Sequence, residues 1–298
     1  ELAERISGDT AVGHTLTFCL AVEDALGIQV PDEASVLRAV LLELERLHNH
    51  VADLGALCND VGYGIAHAHA QRVRESLLRL NKDVTGHRLL RGAVVPGGAR
   101  VARLPSAEEL SVLGADITDT FAIALRNATV RDRFAGTAVL TREQAADMGA
   151  LGYVARASGL DLDARRDHPF HPATVAVPSA ARGEGDVLAR ALVRVAEIGH
   201  STALLGTLLG AGRPGAWYQI FLPGVGIPLS GIGLAEGWRG TIAHRVELGA
   251  DGRLTRWKIV DPSFLTWPAL PLALADTIVP DFPLVNKSFN LSYAGNDL

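Results

Sequence analysis

Cysteine is nearly absent: Cys19 and Cys58 are the only two among 298 residues. Two thiols cannot supply a disulfide framework, a four-thiolate zinc site or a cubane iron–sulfur cluster. A basic excess is also missing, since 28 Lys and Arg stand against 33 Asp and Glu for a net charge of −5. That excludes a surface built to grip nucleic acid. Aromatic residues make up only 5%, so the core must come from Leu, Val, Ile and Ala. The most apolar stretch, 216–234, is broken by Pro223, Pro228 and several glycines and makes a poor membrane span. No signal peptide opens the chain, which starts at Glu1 and holds one methionine, Met148. We expect a piece of a longer protein that lacks its native N-terminal part.

What is present is a folded composition, 48% hydrophobic and 20% charged, which excludes a disordered chain. The mean hydropathy of +0.19 points to a surface partly reserved for partners. Leu37, Val40, Leu41, Leu44, Leu47, Val51, Leu54 and Cys58 recur at three- and four-residue steps and mark one face of a long helix. It starts at Pro31-Asp32 and ends at the glycines 62–64. Further helices are expected over 15–26, 72–84, 107–127, 141–148 and 185–209, and strands over 217–222, 240–248 and 253–260. The last two form a hairpin through Gly249-Ala250-Asp251-Gly252. The fold class is mainly α (α+β), a helical bundle with a small antiparallel β appendage, in a single domain over 1–298.

Nucleotide loops are not supported. Gly224-Val225-Gly226 starts like a dinucleotide fingerprint, but the next glycine, Gly231, comes too late, and no phosphate-loop motif exists. Among ten histidines, His48 and His50 point roughly 200° apart on a helix. His67-Ala68-His69 falls in a short expected loop without an accompanying carboxylate or thiol. Solvated or capping histidines are the expectation. Glu43, Arg46, His50 and Asp53 share a strip beside the apolar face of the long helix, with Asp60 close to it. The pattern alone favours a solvated edge with i,i+3 and i,i+4 pairs. The alternative is a seam buried between helices, where carboxylate and imidazole protonation are coupled.

The two ends carry the specific signal. Arg5-Ile6-Ser7-Gly8-Asp9-Thr10 running to His14, and Asp261-Pro262-Ser263-Phe264-Leu265-Thr266, resemble the signatures R-x-C-G-x-C-x-x-x-H and D-P-C-x-x-C-x-x-H of nickel–iron hydrogenase large subunits. Ser7, Thr10, Ser263 and Thr266 stand at the four cysteine positions, and Ala269 at the terminal histidine. Glu43-x-x-Arg46-x-x-x-His50 followed by Asp60-Val61-Gly62 is similar to the helix shared with the 49-kDa subunit of respiratory complex I. Arg190, Arg194 and Glu197, the run 236–240 and the run 258–264 also look like that family. The ending, from Asp281-Phe282-Pro283-Leu284 to Ser292-Tyr293, is most like the formate-hydrogenlyase and hydrogenase-4 branch.

The resemblance implies a hydrogenase-like subunit from which the metal has been dropped, because hard, protonated hydroxyls cannot replace bridging thiolates. A functional hydrogenase is therefore not expected, and the chain itself binds no cofactor. By analogy with complex I, the vacated cavity lined by Ser7, Gly8, Thr10, His14, Ser263 and Thr266 would form part of a quinone pocket. Asp60 resembles a family acid there, tuning charge or relaying protons with His50 or Glu43. Gly8 stands where the family's quinone-contacting tyrosine would be. The implied setting is a membrane-associated oxidoreductase complex of the NADH:quinone or hydrogenase-4 type, peripheral on the cytoplasmic side of the inner membrane. The implied partners are an iron–sulfur small subunit carrying the cluster, a complex I 30-kDa-like subunit and membrane-arm subunits. The alternative function is a non-catalytic coupling subunit of such a complex.

Overall fold

The computed structural model describes residues 1–219 and 226–298. Three helices open the fold: α1 (Ala11–Leu26), α2 (Asp32–Asp60) and α3 (Gly64–Thr85). A three-stranded antiparallel sheet follows, made of β1 (Val94–Val95), β2 (Gly98–Val101) and the distant β3 (Gly215–Tyr218), with β2 in the middle. Between β2 and β3 run α4 (Ala107–Arg126), the short α5 (Ala128–Phe134), α6 (Arg142–Asp147), α7 (Gly152–Ala157) and α8 (Ala164–Asp167), and the long α9 (Val187–Ala211). The second antiparallel sheet is β4 (Leu229–Gly237), β5 (Gly240–Leu248) and β6 (Leu254–Val260), in that order. Four short helices complete the chain: α10 (Pro262–Thr266), α11 (Ala269–Leu274), α12 (Phe282–Phe289) and α13 (Tyr293–Asn296).

α2 is the mast. Its apolar stripe from Leu37 to Cys58 is buried, as the periodicity requires, but its polar flank is buried too, including Arg38, Glu43, Arg46, His48, His50 and Asp53. α3 covers one side and α9 another, so the strip expected to be a solvated edge lies between helices. The helix ends follow side-chain chemistry. Ser106 and Glu109 form a reciprocal capping box at the start of α4. At α6 the partner of Thr141 is Gln144, at the third helical position. α3 starts at Gly64, eight residues before the expected start, because Gly62 turns the chain at φ +80° immediately after α2. His67 and His69 therefore lie on a helix, not in a loop.

The 240–248 strand matches its expectation, and the hairpin to β6 closes through Gly249 and Gly252. The strand expected over 217–222 is observed as Gly215–Tyr218; residues 220–225, with most of the Gly224-Val225-Gly226 run, lie outside the described residues. β4 was missed, although Gly231, Gly233 and Ala235 alternate at the strand period. These small residues face α1. A Cβ at Gly231 would sit 2.2 Å from the Ala21 carbonyl oxygen, and one at Gly233 2.2 Å from that of Thr17. Backbone thus packs on backbone. Gly231→Ala should destabilise the chain by about 1–3 kcal/mol or more, measured by urea unfolding; an unchanged midpoint would mean that sheet and helix separate without cost.

Candidate functional site

Both terminal signatures arrive at one place. Thr10 directly precedes α1, and Asp261 caps α10, where the Asp261 Oδ1 accepts from the Ser263 N–H at 2.7 Å. The Ser7 and Ser292 hydroxyls hydrogen-bond at 3.0 Å, and the Ser292 N–H donates to Ser263 Oγ at 3.0 Å. Ser292, just before α13, thus links the opposite ends of the chain. Thr10 Oγ1 accepts from the indole N–H of Trp238 at 3.1 Å, and Thr266 Oγ1 from the N–H of Leu151 at 3.1 Å. All four hydroxyl residues are buried. Gly8, by contrast, is exposed, and a Cβ there would meet nothing within 4 Å.

His14 connects the signatures again through a buried chain. Its Nε2 lies 3.0 Å from Asp261 Oδ2 and its Nδ1 3.1 Å from Nε2 of His244. The N–H of Trp257 points at Nδ1 of His244 at 3.4 Å. With an indole donor at one end and a carboxylate at the other, one set of tautomers satisfies every bond with both imidazoles neutral. Burial, with His14 alongside, pushes the His244 pKa down to about 3. Burial would raise Asp261, but its bonds with His14 and Ser263 together outweigh it and hold the carboxyl below its usual value.

Beside this junction lies a buried ionic network on α2, α7, α8, α9 and β4. Glu197 accepts from Nε of Arg156 and Nε2 of His50, each at 2.8 Å, with Arg46 at 3.7 Å. Glu43 accepts from Arg46 at 3.1 Å and from Ser201, and faces Arg165 at 3.3 Å. Glu236 accepts from Arg156 at 2.9 Å and Thr241 at 2.7 Å. Higher on α2, Asp53 accepts from Arg194 at 3.1 Å and Asn290 at 2.6 Å. Asp9 forms a two-pronged pair with Arg239 at 2.6 and 2.7 Å. His50 stands edge-on to Tyr153 and Trp238 between these groups.

Electrostatics decide which members carry charge. Burial alone would raise Glu197, yet Arg156 and the His50 hydrogen bond outweigh it and hold that carboxyl well below its normal range. Glu43 is likewise lowered, Arg46 and Arg165 offsetting its burial. Burial pushes His50 down to about 4 despite Glu197, so its ring is neutral. Its Nδ1 is buried without a hydrogen-bond partner among the described residues. Asp53 and Glu236 are raised by burial. Arg190 is lowered to about 9 by burial and by Arg194; it bonds Ser288 and two backbone carbonyls.

The structure therefore unites Glu43 and His50 in one network, and Ser7, Thr10, His14, Ser263 and Thr266 at the adjoining junction. It leaves Asp60 apart, exposed at the last residue of α2, about 10 Å along the axis from Asp53. The histidines expected to be solvated or capping divide: His171 does cap a 3₁₀ turn, whereas His14, His48, His50 and His244 are buried. They are buried because each finds a partner on another segment or turn, as His48 does in the Leu44 carbonyl at 3.0 Å. Sequence reasoning missed Arg156, Asp163 and Arg165 altogether. The signal for α9 was available in Arg190, Arg194 and Glu197, three charges spaced along one face of an Ala- and Leu-rich helix.

The donor set does not suit a nickel–iron thiolate centre. The four positions offer neutral hydroxyls already bonded within the protein, and both cysteines are elsewhere, buried on α1 and α2 with pKa values pushed up to about 12 by burial. Among the described residues, no three His, Cys, Asp or Glu side chains cluster as metal ligands. Nor is any described helix long and apolar enough to cross a membrane. A cavity of ≈ 570 Å³ lies away from the junction, between α4 and α9, lined by residues such as Ile117, Phe121 and Ile198.

Residues 60–219 match the family model described as the respiratory-chain NADH dehydrogenase 49-kDa subunit. The chain is 30% identical to formate hydrogenlyase subunit 5 of Escherichia coli, over 99% of this chain and 53% of that protein. It is 31% identical to the membrane-bound hydrogenase subunit alpha of Pyrococcus furiosus, over 88% of this chain and 66% of that protein. It spans about half the length of the Escherichia coli relatives it matches, formate hydrogenlyase subunit 5 and hydrogenase-4 component G. The fold is that of a chain of the membrane-bound sulfane sulfur reductase, an archaeal respiratory membrane complex, with a TM-score of 0.87 at 23% identity over 100% of this chain and 84% of that one. The chain belongs to the superfamily that joins the complex I 49-kDa subunit to the hydrogenase large subunits.

Proposed function

We propose that this chain is a metal-free, hydrogenase-like large subunit of a membrane-associated electron-transfer oxidoreductase complex, of the NADH:quinone or hydrogenase-4 type. One observation carries the reading: at the signature positions, the Ser7 and Ser263 hydroxyls are buried and joined through Ser292. Nickel and low-spin iron need soft, ionised donors, and neutral hydroxyls tied into protein hydrogen bonds are neither. Electrons would then travel on an iron–sulfur cluster of a small partner subunit, with 30-kDa-like and membrane-arm subunits completing an assembly on the cytoplasmic side of the inner membrane.

A quinone would occupy a pocket completed by the iron–sulfur subunit next to Gly8, where the backbone is exposed and open. Asp60, also exposed, would act on that partner-facing side. Glu43 and His50 would position charge beneath the pocket, Glu43 as an ion and His50 as a neutral acceptor. The second reading, a coupling subunit without quinone, is favoured by the glycine at the tyrosine position.

The test uses the intact complex purified from its source. Substoichiometric nickel, together with photolabelling of the 7–14 segment by an azidoquinone and loss of quinone reduction in Asp60→Asn, is the expected result. Stoichiometric nickel would overturn the metal-free reading. A nickel-free complex that is never labelled on this subunit, and is indifferent to Asp60→Asn, would replace the quinone role with the coupling role.

A further inference from the structure

The sheet β4–β5–β6 has two unlike faces. One packs on α1 through Gly231 and Gly233. On the other, the strand register sets Ile232, Arg245 and Lys258 in one row across the sheet, and Ser230, Glu247 and Arg256 in the next. Arg245 and Lys258 are both exposed and directly opposed, and like charges in that relation destabilise a strand pair. The compensation within the chain is thin. Arg245 reaches Glu247 at 3.3 Å, and Lys258 Nζ lies 3.4 Å from the backbone carbonyl of Leu298. Arg245, Glu247, Arg256 and Lys258 together line a shallow cleft of ≈ 180 Å³. Three cations against one carboxylate leave this spot positive on a chain whose net charge is −5.

Apolar surface adjoins the charge. Ile232 is 58% exposed, and the neighbouring row Leu234, Ala243 and Val260 is half-buried. Protection of a free sheet edge accounts for Arg256 and Lys258, which stand on the edge strand β6, but not for Arg245 on the central strand β5, set directly against Lys258. An anionic membrane does not explain it either. Binding there takes clusters of about four to eight basic residues, more than this face carries.

We propose that the outer face of β4–β5–β6 docks an acidic segment of a partner polypeptide, which brings carboxylates to Arg245, Arg256 and Lys258 and an apolar side chain to Ile232. The segment supplies the countercharge that the Arg245–Lys258 pair lacks, and it covers the apolar row that the fold leaves half open. This inference does not depend on whether the signature junction is metal-free or meets quinone.

The experiment places the photocrosslinker p-benzoylphenylalanine at Ile232 in the full chain within its native complex, and identifies the crosslinked peptide by mass spectrometry. An adduct to one Asp- and Glu-rich segment of another polypeptide is expected. Arg245→Glu turns the like-charge pair into an opposite one, so the chain's melting temperature should hold or rise. In the same variant the adduct should fall about tenfold, with Arg245→Lys restoring it. Adducts to lipid, to a second copy of this chain or to a neutral or basic segment would overturn the proposal. So would the absence of any adduct, or an adduct insensitive to Arg245→Glu.

Discussion

Substituting Glu197 by glutamine should lower the folding stability by about 3–5 kcal/mol, the cost of removing one partner from a buried ion pair. The amide keeps the shape of the carboxylate but not its charge. Arg156 and His50, each 2.8 Å away, and Arg46 at 3.7 Å would lose the anion around which they are arranged, and all four groups are buried from bulk solvent. Glu75 provides the control. It also binds two arginines, Arg79 and Arg88, but on the exposed surface of α3, where solvent screens both charges, so Glu75→Gln should change little. Urea unfolding at constant slope separates the two cases. A Glu197→Gln loss below about 1 kcal/mol, the range of exposed pairs, would show that the network behaves as though solvated.

Acid should destabilise this fold well above the range in which carboxylates titrate. Burial lowers His48 and His50 to about 4 and His244 to about 3, from 6.5. Below pH 6.5 the unfolded chain binds protons that the folded chain refuses, so stability falls as pH falls. Between pH 6.5 and 5 each ring contributes about 1.6 kcal/mol of that loss, and the three together reach about 5 kcal/mol, the low end of the stability of an ordinary domain. Glu45 acts with the opposite sign. It receives the Val12 and Gly13 N–H groups at the start of α1, yet burial raises it to about 8. Its folded form therefore holds a proton that the unfolded form has lost, and stability falls as pH rises toward 8. Glu43 and Glu197, held low, keep their contribution to much lower pH. The melting temperature should peak near about pH 6.5 and fall more steeply on the acid side. A flat profile from pH 7 to pH 5 would show that these rings titrate as if exposed.

How legible this was depends on the range of the interaction involved. The α2 stripe and the β5–β6 hairpin could be read directly, since a helix face repeats within four residues and a strand face within two. β4 could not, because its glycines look like breakers until α1 is known to lie against them. The strip Glu43, Arg46, His50 and Asp53 was correctly found, but its environment was misjudged. The spacing of charges is the same on a solvated edge and in a buried seam, and what separates the two is α9, which starts more than 120 residues beyond the end of α2.

By itself the sequence determined the helical class, the hairpin, the lack of thiolate ligands at either signature and the family those signatures belong to. Each of these follows from residue type and local spacing. Only the tertiary structure decided that four histidines and seven arginines among the described residues are inside, that Ser292 bridges the two ends, and that Asp60 stands apart from Glu43 and His50 although one helix carries all three. Burial and partnership are properties of segments meeting across the fold. A titratable side chain takes its charge from that meeting, because desolvation and the nearest counter-ions, wherever they lie in the sequence, set its free energy.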